Sequence, residues 1–204
     1  MEKARRNRIR IFAPLLLVLL AIAGGSWWYW HSENQKLPVL MPAPNFTLQN
    51  IDGGKLTFHE EQGKVRLVEF FFANCPDICP LTTANMAHIQ DQLKQKNEFG
   101  KQVEFVSISF DPERDTNDVL KQYADRLKMD RTGWKVLRGT QQETSAVADQ
   151  FGVYLEKQAD GSFIHSTRSL YLVDQNNQIR KVYQMGNEMP TDEIYNDILK
   201  LVRE

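Results

Sequence analysis

The chain has 204 residues, 42% of them hydrophobic, with 25 Lys and Arg against 26 Asp and Glu. That length carries one ordinary domain plus an appendage, and the apolar content is ample for a core without a covalent staple. The formal net charge is −1, and with residues 1–30 at +4 the remainder stands at −5, a poor nucleic-acid reading surface because phosphate contacts need clustered Lys and Arg.

The appendage comes first. Residues 1–10 form a basic flank carrying Lys3, Arg5, Arg6, Arg8 and Arg10, and Ile11 to Trp30 are 20 residues without a charge. At about 1.5 Å per residue a helix of that length measures about 30 Å, the thickness of a bilayer core. Trp27, Trp28, Tyr29 and Trp30 stand where an interfacial aromatic belt belongs. The expectation is a transmembrane anchor over 11–30 in the cell membrane, single-pass, with the N-terminus cytoplasmic and the soluble part extracytoplasmic. A cleaved signal peptide is the competing expectation, since Ala21-Ile22-Ala23 resembles a small-residue cleavage site. No cysteine follows the apolar run closely, which argues against lipoprotein attachment.

Residues 31–44 read as a linker, polar and then broken by Pro38, Pro42 and Pro44. The remainder, 45–204, reads as one domain. A hairpin is expected first, with Phe46-Thr47-Leu48 and Leu56-Thr57-Phe58 alternating around Asp52-Gly53-Gly54. Val65 to Phe72 is an apolar strand interrupted by Arg66 and Glu69. Residues 80–97 form a helix with Met86, Ile89 and Leu93 at helical spacing, and Val103 to Phe110 is a second buried strand. Thr116 caps a helix through Leu127, and Trp134 to Leu137 is a short strand. Thr140 and Glu143 form a capping box for a helix that ends at Phe151-Gly152. Strands at Leu170 to Val173 and Ile179 to Tyr183 follow, and Thr191 is expected to cap a last amphipathic helix. Alternating strands and helices with a closing hairpin predict an α/β domain whose mixed central sheet is flanked by helices. A strand that hands two cysteines to a helix start inside that order resembles the thioredoxin-like fold.

Those cysteines, Cys75 and Cys79, are the only two in the chain. Three intervening residues close too short a loop for a disulfide to stabilise the fold much. At a helix start, unpaired N–H groups favour thiolate, so the pair is expected to ionise easily. Two roles are open: cycling between dithiol and disulfide, or chelating a soft ion. Thioredoxin-type motifs hold two residues between the cysteines, whereas this one holds three. The approach to the facing strand, Ile164-His165-Ser166-Thr167-Arg168-Ser169, lacks the usual proline and offers an imidazole. Two thiolates and one imidazole suit Cu(I), and Cu(II) with an added ligand, while zinc would be expected to bring a fourth protein ligand. His88 points away around the helix, His59 lies beyond the hairpin and His31 at the membrane edge. Met185 and Met189 read as packing, Asp77 as a cap or docking charge. The segment Asp111-Pro-Glu-Arg-Asp-Thr116 reads as a capped turn with an Arg114–Asp115 pair, or alternatively as a partner-facing rim.

Three segments together are recognisable. Gly63 to Pro80, with its Cys-Pro-Asp-Ile-Cys-Pro, Asp111 to Thr116, and Asp160 to Asp174 with its His165-Ser166 resemble the Sco/SenC family of copper proteins, over about residues 42–203. Ala73-Asn74 departs from the Thr or Ser common before the first cysteine. The resemblance implies a membrane-anchored thioredoxin-like domain that binds copper, as Cu(I) or Cu(II), through Cys75, Cys79 and His165. It implies a role in assembling the copper A centre of cytochrome c oxidase, with subunit II as partner and another copper chaperone or a thiol reductant as further partners. That describes a copper carrier, with thiol–disulfide oxidoreductase activity left open. The alternative is a membrane-anchored thiol–disulfide reductase that keeps the oxidase's copper-ligand cysteines reduced, with Cys75 and Cys79 as its redox pair.

Overall fold

A computed structural model describes residues 20, 22–27, 36–60, 62–76, 78–157, 163–165 and 169–204, with the side chains of 155–157 and 163–165 outside the description. The chain divides into Met1–Lys36 and Leu37–Glu204. In the first unit residues 22–27 are helical. Most of the expected anchor at 11–30 lies outside the described residues, and among those described no helix is long and apolar enough to cross a membrane.

In the second unit the continuous apolar runs become the middle of a sheet. Strands β4 (Val65–Phe71) and β5 (Val103–Ser109) are parallel and buried at every position. Helix α1 (Ile78–Gln95) makes the crossover between them. Strand β6 (Trp134–Arg138) extends the parallel set beside β5. On the other side β9 (Ser169–Val173) runs antiparallel to β4, and β10 (Gln178–Gln184) antiparallel to β9. The N-terminal strands close both edges: β1 (Met41–Pro42) pairs with β10, while β2 (Thr47–Asn50) pairs with β6 and carries β3 (Lys55–Thr57). The order is β1-β10-β9-β4-β5-β6-β2-β3. A strand buried on both faces reads as an unbroken apolar run, and burying one Leu, Val or Ile there is worth about 1.5–3 kcal/mol.

Helices α2 (Asn117–Arg126), α3 (Gln141–Gln150) and α4 (Thr191–Val202) complete the domain, with α1 packed against α4. The Thr116 hydroxyl accepts the Val119 N–H, and the Thr140–Glu143 capping box is formed in both directions, as expected. Thr191 is not a cap. It is the first residue of α4, behind Pro190, which has no side-chain group to accept an N–H, and the acidic Asp192 and Glu193 face the positive helix end instead. The linker expectation also shifts. Leu37 to Ala43 belong to the compact unit, tied by Leu40 N–H to Ile179 O at 2.9 Å and Ala43 N–H to Asn177 O at 2.8 Å. A separate hairpin, β7 (Leu155–Lys157) with β8 (Phe163–His165), was not expected.

Arg66 and Glu69, the apparent interruptions of β4, are both fully buried. The Arg66 guanidinium donates to Phe58 O and Asn177 Oδ1 and lies 3.8 Å over the Phe58 ring.

Candidate metal centre

Strand β4 delivers the chain to the site. Beyond Phe71 its ladder continues for one bond, Phe110 N–H to Phe71 O at 3.1 Å, and the chain then turns with Cys75 N–H donating to Phe72 O at 3.2 Å. Cys75 precedes α1 by three residues and Cys79 is its second residue. The helix begins two residues ahead of the expected start, so Pro80 is its third residue, within the first turn where a missing N–H breaks no helical bond. Both cysteines are buried thiols.

Ionisation differs from expectation at Cys79. Its thiol is pushed well above the ordinary range, first by a hydrogen bond with Cys75, then by burial and by the negative charges of Cys75 and Glu69, against the pull of the Phe72 amide. The helix start does not overcome a proton held between two buried sulfurs, so ligands must lose protons as a metal arrives.

The turn Asp111 to Thr116 grips the approach to Cys75 from one side. Asp115, also buried, accepts the Ala73 N–H at 3.1 Å and the Ser109 hydroxyl at 2.5 Å. Burial raises its pKa. Arg114 makes its contact ion pair with Asp111, and its charge also draws on Asp115, whose carboxylate is turned inward to the cysteine loop. From the other side the loop after β10 clamps α1: Thr82 Oγ1 accepts the Gly186 N–H at 2.9 Å, and Asn85 Nδ2 donates to Gly186 O at 3.1 Å. Gly186 has φ +84°, and a Cβ there would sit 2.9 Å from Ile78 Cγ1, so glycine is needed on both counts. A pocket of about 180 Å³ opens here between Ile78, Leu81 and the 184–188 loop. Met185 and Met189 are buried core side chains, as expected.

Beneath the pair lies a polar layer the sequence reading missed. Glu69 Oε1 accepts the hydroxyls of Ser107 at 2.5 Å and Thr83 at 3.4 Å, Thr83 meets the Tyr123 hydroxyl at 2.9 Å, and Trp134 Nε1 donates to Ser107 Oγ at 2.7 Å. Glu69 Oε2 is buried without a hydrogen-bond partner. Burial lifts the Glu69 pKa to about 7, against the two hydroxyl bonds. The available signal was a carboxylate inside a continuous apolar strand, six residues ahead of Cys75.

His165 ends β8, its backbone opposite Leu155. Strand β9 starts four residues later, and Leu170 pairs with Glu69, so the start of β9 does stand at the end of β4 that leads to Cys75. The His165 side chain is outside the description, as are Asp77 and His31. Among the described residues no three His, Cys, Asp or Glu groups gather around one point. His88 is exposed, and His59 Nε2 bonds Ala43 O at 2.8 Å.

Comparison with known proteins places this geometry. The family model SCO1/SenC matches residues 38–203. The chain belongs to the SCO1/SenC family. It is 31% identical to the SCO1 protein homolog of Bacillus subtilis (strain 168) over 189 residues, 91% of this chain and 92% of that one. Against two mitochondrial SCO relatives, from Arabidopsis thaliana and Saccharomyces cerevisiae, it spans about half their length, 46% and 50%. Among solved structures it resembles BsSco, described with a disulfide switch and as a member of the Sco family of cytochrome c oxidase assembly proteins. The TM-score is 0.71 at 32% identity, covering 83% of this chain and 98% of that one. Arabidopsis thaliana ScoI with copper bound matches with TM-score 0.66 at 30% identity, covering 79% and 98%. Two of the segments named from the sequence meet at the head of α1: the first carries Cys75 and Cys79, and Asp115 of the second accepts the Ala73 N–H.

Proposed function

We propose that this chain is a membrane-anchored copper carrier for assembly of the copper A centre of cytochrome c oxidase, passing copper to subunit II. The observation that carries the reading is a buried, hydrogen-bonded Cys75–Cys79 pair at the head of α1 in a SCO1/SenC chain similar to a copper-bound ScoI. The donors fit the cargo: two thiolates and an imidazole from His165 make a soft three-coordinate set. Loading copper takes the place of the thiol protons, which leave to solvent. Asp115 holds the Cys75 loop through Ala73, and Gly186 lets the neighbouring loop close on Ile78, so both cysteines are presented from fixed backbone.

A second reading, the thiol–disulfide reductase, is favoured by the hydrogen bond between the two sulfurs. In it Cys75 and Cys79 give two electrons and two protons to an oxidase disulfide and become a disulfide themselves. One variant separates the readings. His165→Ala should lose tight copper binding in a titration of the reduced chain, followed by thiolate-to-copper absorption, while still reducing a disulfide. Wild-type copper affinity in that variant would remove His165 from the ligand set. Full restoration of oxidase assembly by a variant that no longer binds copper would refute the carrier and leave the reductase.

A further inference from the structure

The pairing register assigns the two ends of the domain. The cysteines leave the C-terminal end of β4. At its other end, Arg66 pairs with Val173, Val173 with Ile179, and Ile179 with Met41. The start of the compact unit therefore lies at the end of the sheet opposite the cysteine pair. Arg180 fixes it there, donating from Nε to Leu37 O at 3.0 Å and Pro38 O at 3.3 Å while pairing with Asp174 and Glu204. The segment that follows is held by backbone hydrogen bonds from Leu40 and Ala43 yet displays apolar side chains to solvent: Val39 is 59% exposed, Leu40 54% and Met41 47%. Three consecutive exposed apolar residues, two leading into the edge strand β1 and Met41 opening it, are a surface, not a linker.

Chain length says what meets that surface. Only residues 31–36 separate Trp30, the end of the uncharged run, from Leu37. Seven steps of extended chain reach at most about 25 Å. The one charge between residues 36 and 43 is Lys36, which suits a layer of lipid phosphates. We propose that Val39, Leu40 and Met41 form a foot that rests on the lipid surface, so that the domain stands with its cysteine pair turned away from the bilayer. The span of β4, about 20 Å at the usual rise per strand residue, then separates the foot from the thiols. The accepting groups of the partner would have to meet them at that height rather than at the headgroups. This inference rests on residues 11–30 anchoring the chain.

The test uses the full chain in lipid nanodiscs with its native cysteines. A fluorescent amino acid is introduced by codon suppression at Leu40 or, as the control, at Val119, which is exposed near the start of α2 on the cysteine side. Discs are made with ordinary or chain-brominated phospholipid, bromine quenching only fluorophores that reach the lipid. The expected result is loss of emission at position 40 in brominated discs and no loss at position 119. No loss at 40 from a chain that elutes with the discs overturns the foot, and loss at 119 overturns the orientation. Absence of quenching at 40 together with two copies per disc assigns the strip to a second copy instead of lipid. A chain that does not elute with discs refutes the anchor, and the foot falls with it.

Discussion

Replacing Glu69 by Gln should remove a large pH dependence of folding, and the size of the effect follows from burial. The carboxyl is fully enclosed, with Oε2 left without a hydrogen-bond partner, and its pKa rises from 4.5 to about 7. Between those values the unfolded chain has released the proton and the folded chain has not. The folded state therefore binds more protons, and stability falls as pH rises through the window. The contribution is complete below pH 4.5 and gone above about pH 7. That displacement corresponds to about 3 kcal/mol. Gln keeps the shape and an oxygen for the Ser107 and Thr83 hydroxyls but cannot titrate. Urea unfolding of a chain starting at Leu37, with thiols kept reduced, should show the two proteins nearly equal at low pH. The variant should then be more stable by about 3 kcal/mol near pH 8. A difference that stays constant across pH would refute the assignment of the buried charge to Glu69.

Two further substitutions test the supports of the site and of the sheet. Asp115→Asn turns an amide toward the Ala73 N–H, and should cost about 1–3 kcal/mol in urea unfolding while weakening copper binding in the same titration used for His165. Gly133→Ala would place a Cβ 2.7 Å from Gly100 N and 2.8 Å from Gly100 Cα. Backbone cannot swing aside as a side chain can, so the expected loss is about 1–3 kcal/mol, read from thermal unfolding. A wild-type midpoint would show that the two turns separate freely.

The elements legible in the sequence were those whose cause is local. The central strands are unbroken apolar runs, and the caps at Thr116 and Thr140 are made by side chains within three residues of the groups they satisfy. The thiols at the head of a helix were legible for the same reason. What escaped depends on partners far along the chain. Arg66 looked like an interruption because its acceptor Asn177 is 111 residues away. For Asp115 only the neighbouring charge of Arg114 was visible, because the Ala73 N–H that it accepts, 42 residues back, is invisible to spacing. Strand β1 looked like linker because its prolines hide an edge strand; Pro42 needs no donor there, since the bonds are made by Leu40 and Ala43. The Cys79 thiol was misjudged because helix position is local, whereas its burial and its bond to Cys75 are tertiary.

The closure of both sheet edges by N-terminal strands has a consequence for the order of events in folding. The first strand of the domain pairs with the last, β1 with β10, and β2 waits for β6, some 90 residues downstream. Contacts of such sequence separation close late, because loop entropy is lost before they form. The domain cannot be completed while its C-terminal strands are still being made. Until then the cysteine motif, already synthesised, has neither the 111–116 turn nor the 184–188 loop in place around it. The interval between synthesis and closure is when the two thiols are most open to oxidants and to stray metal, and a partner that guards them would act there.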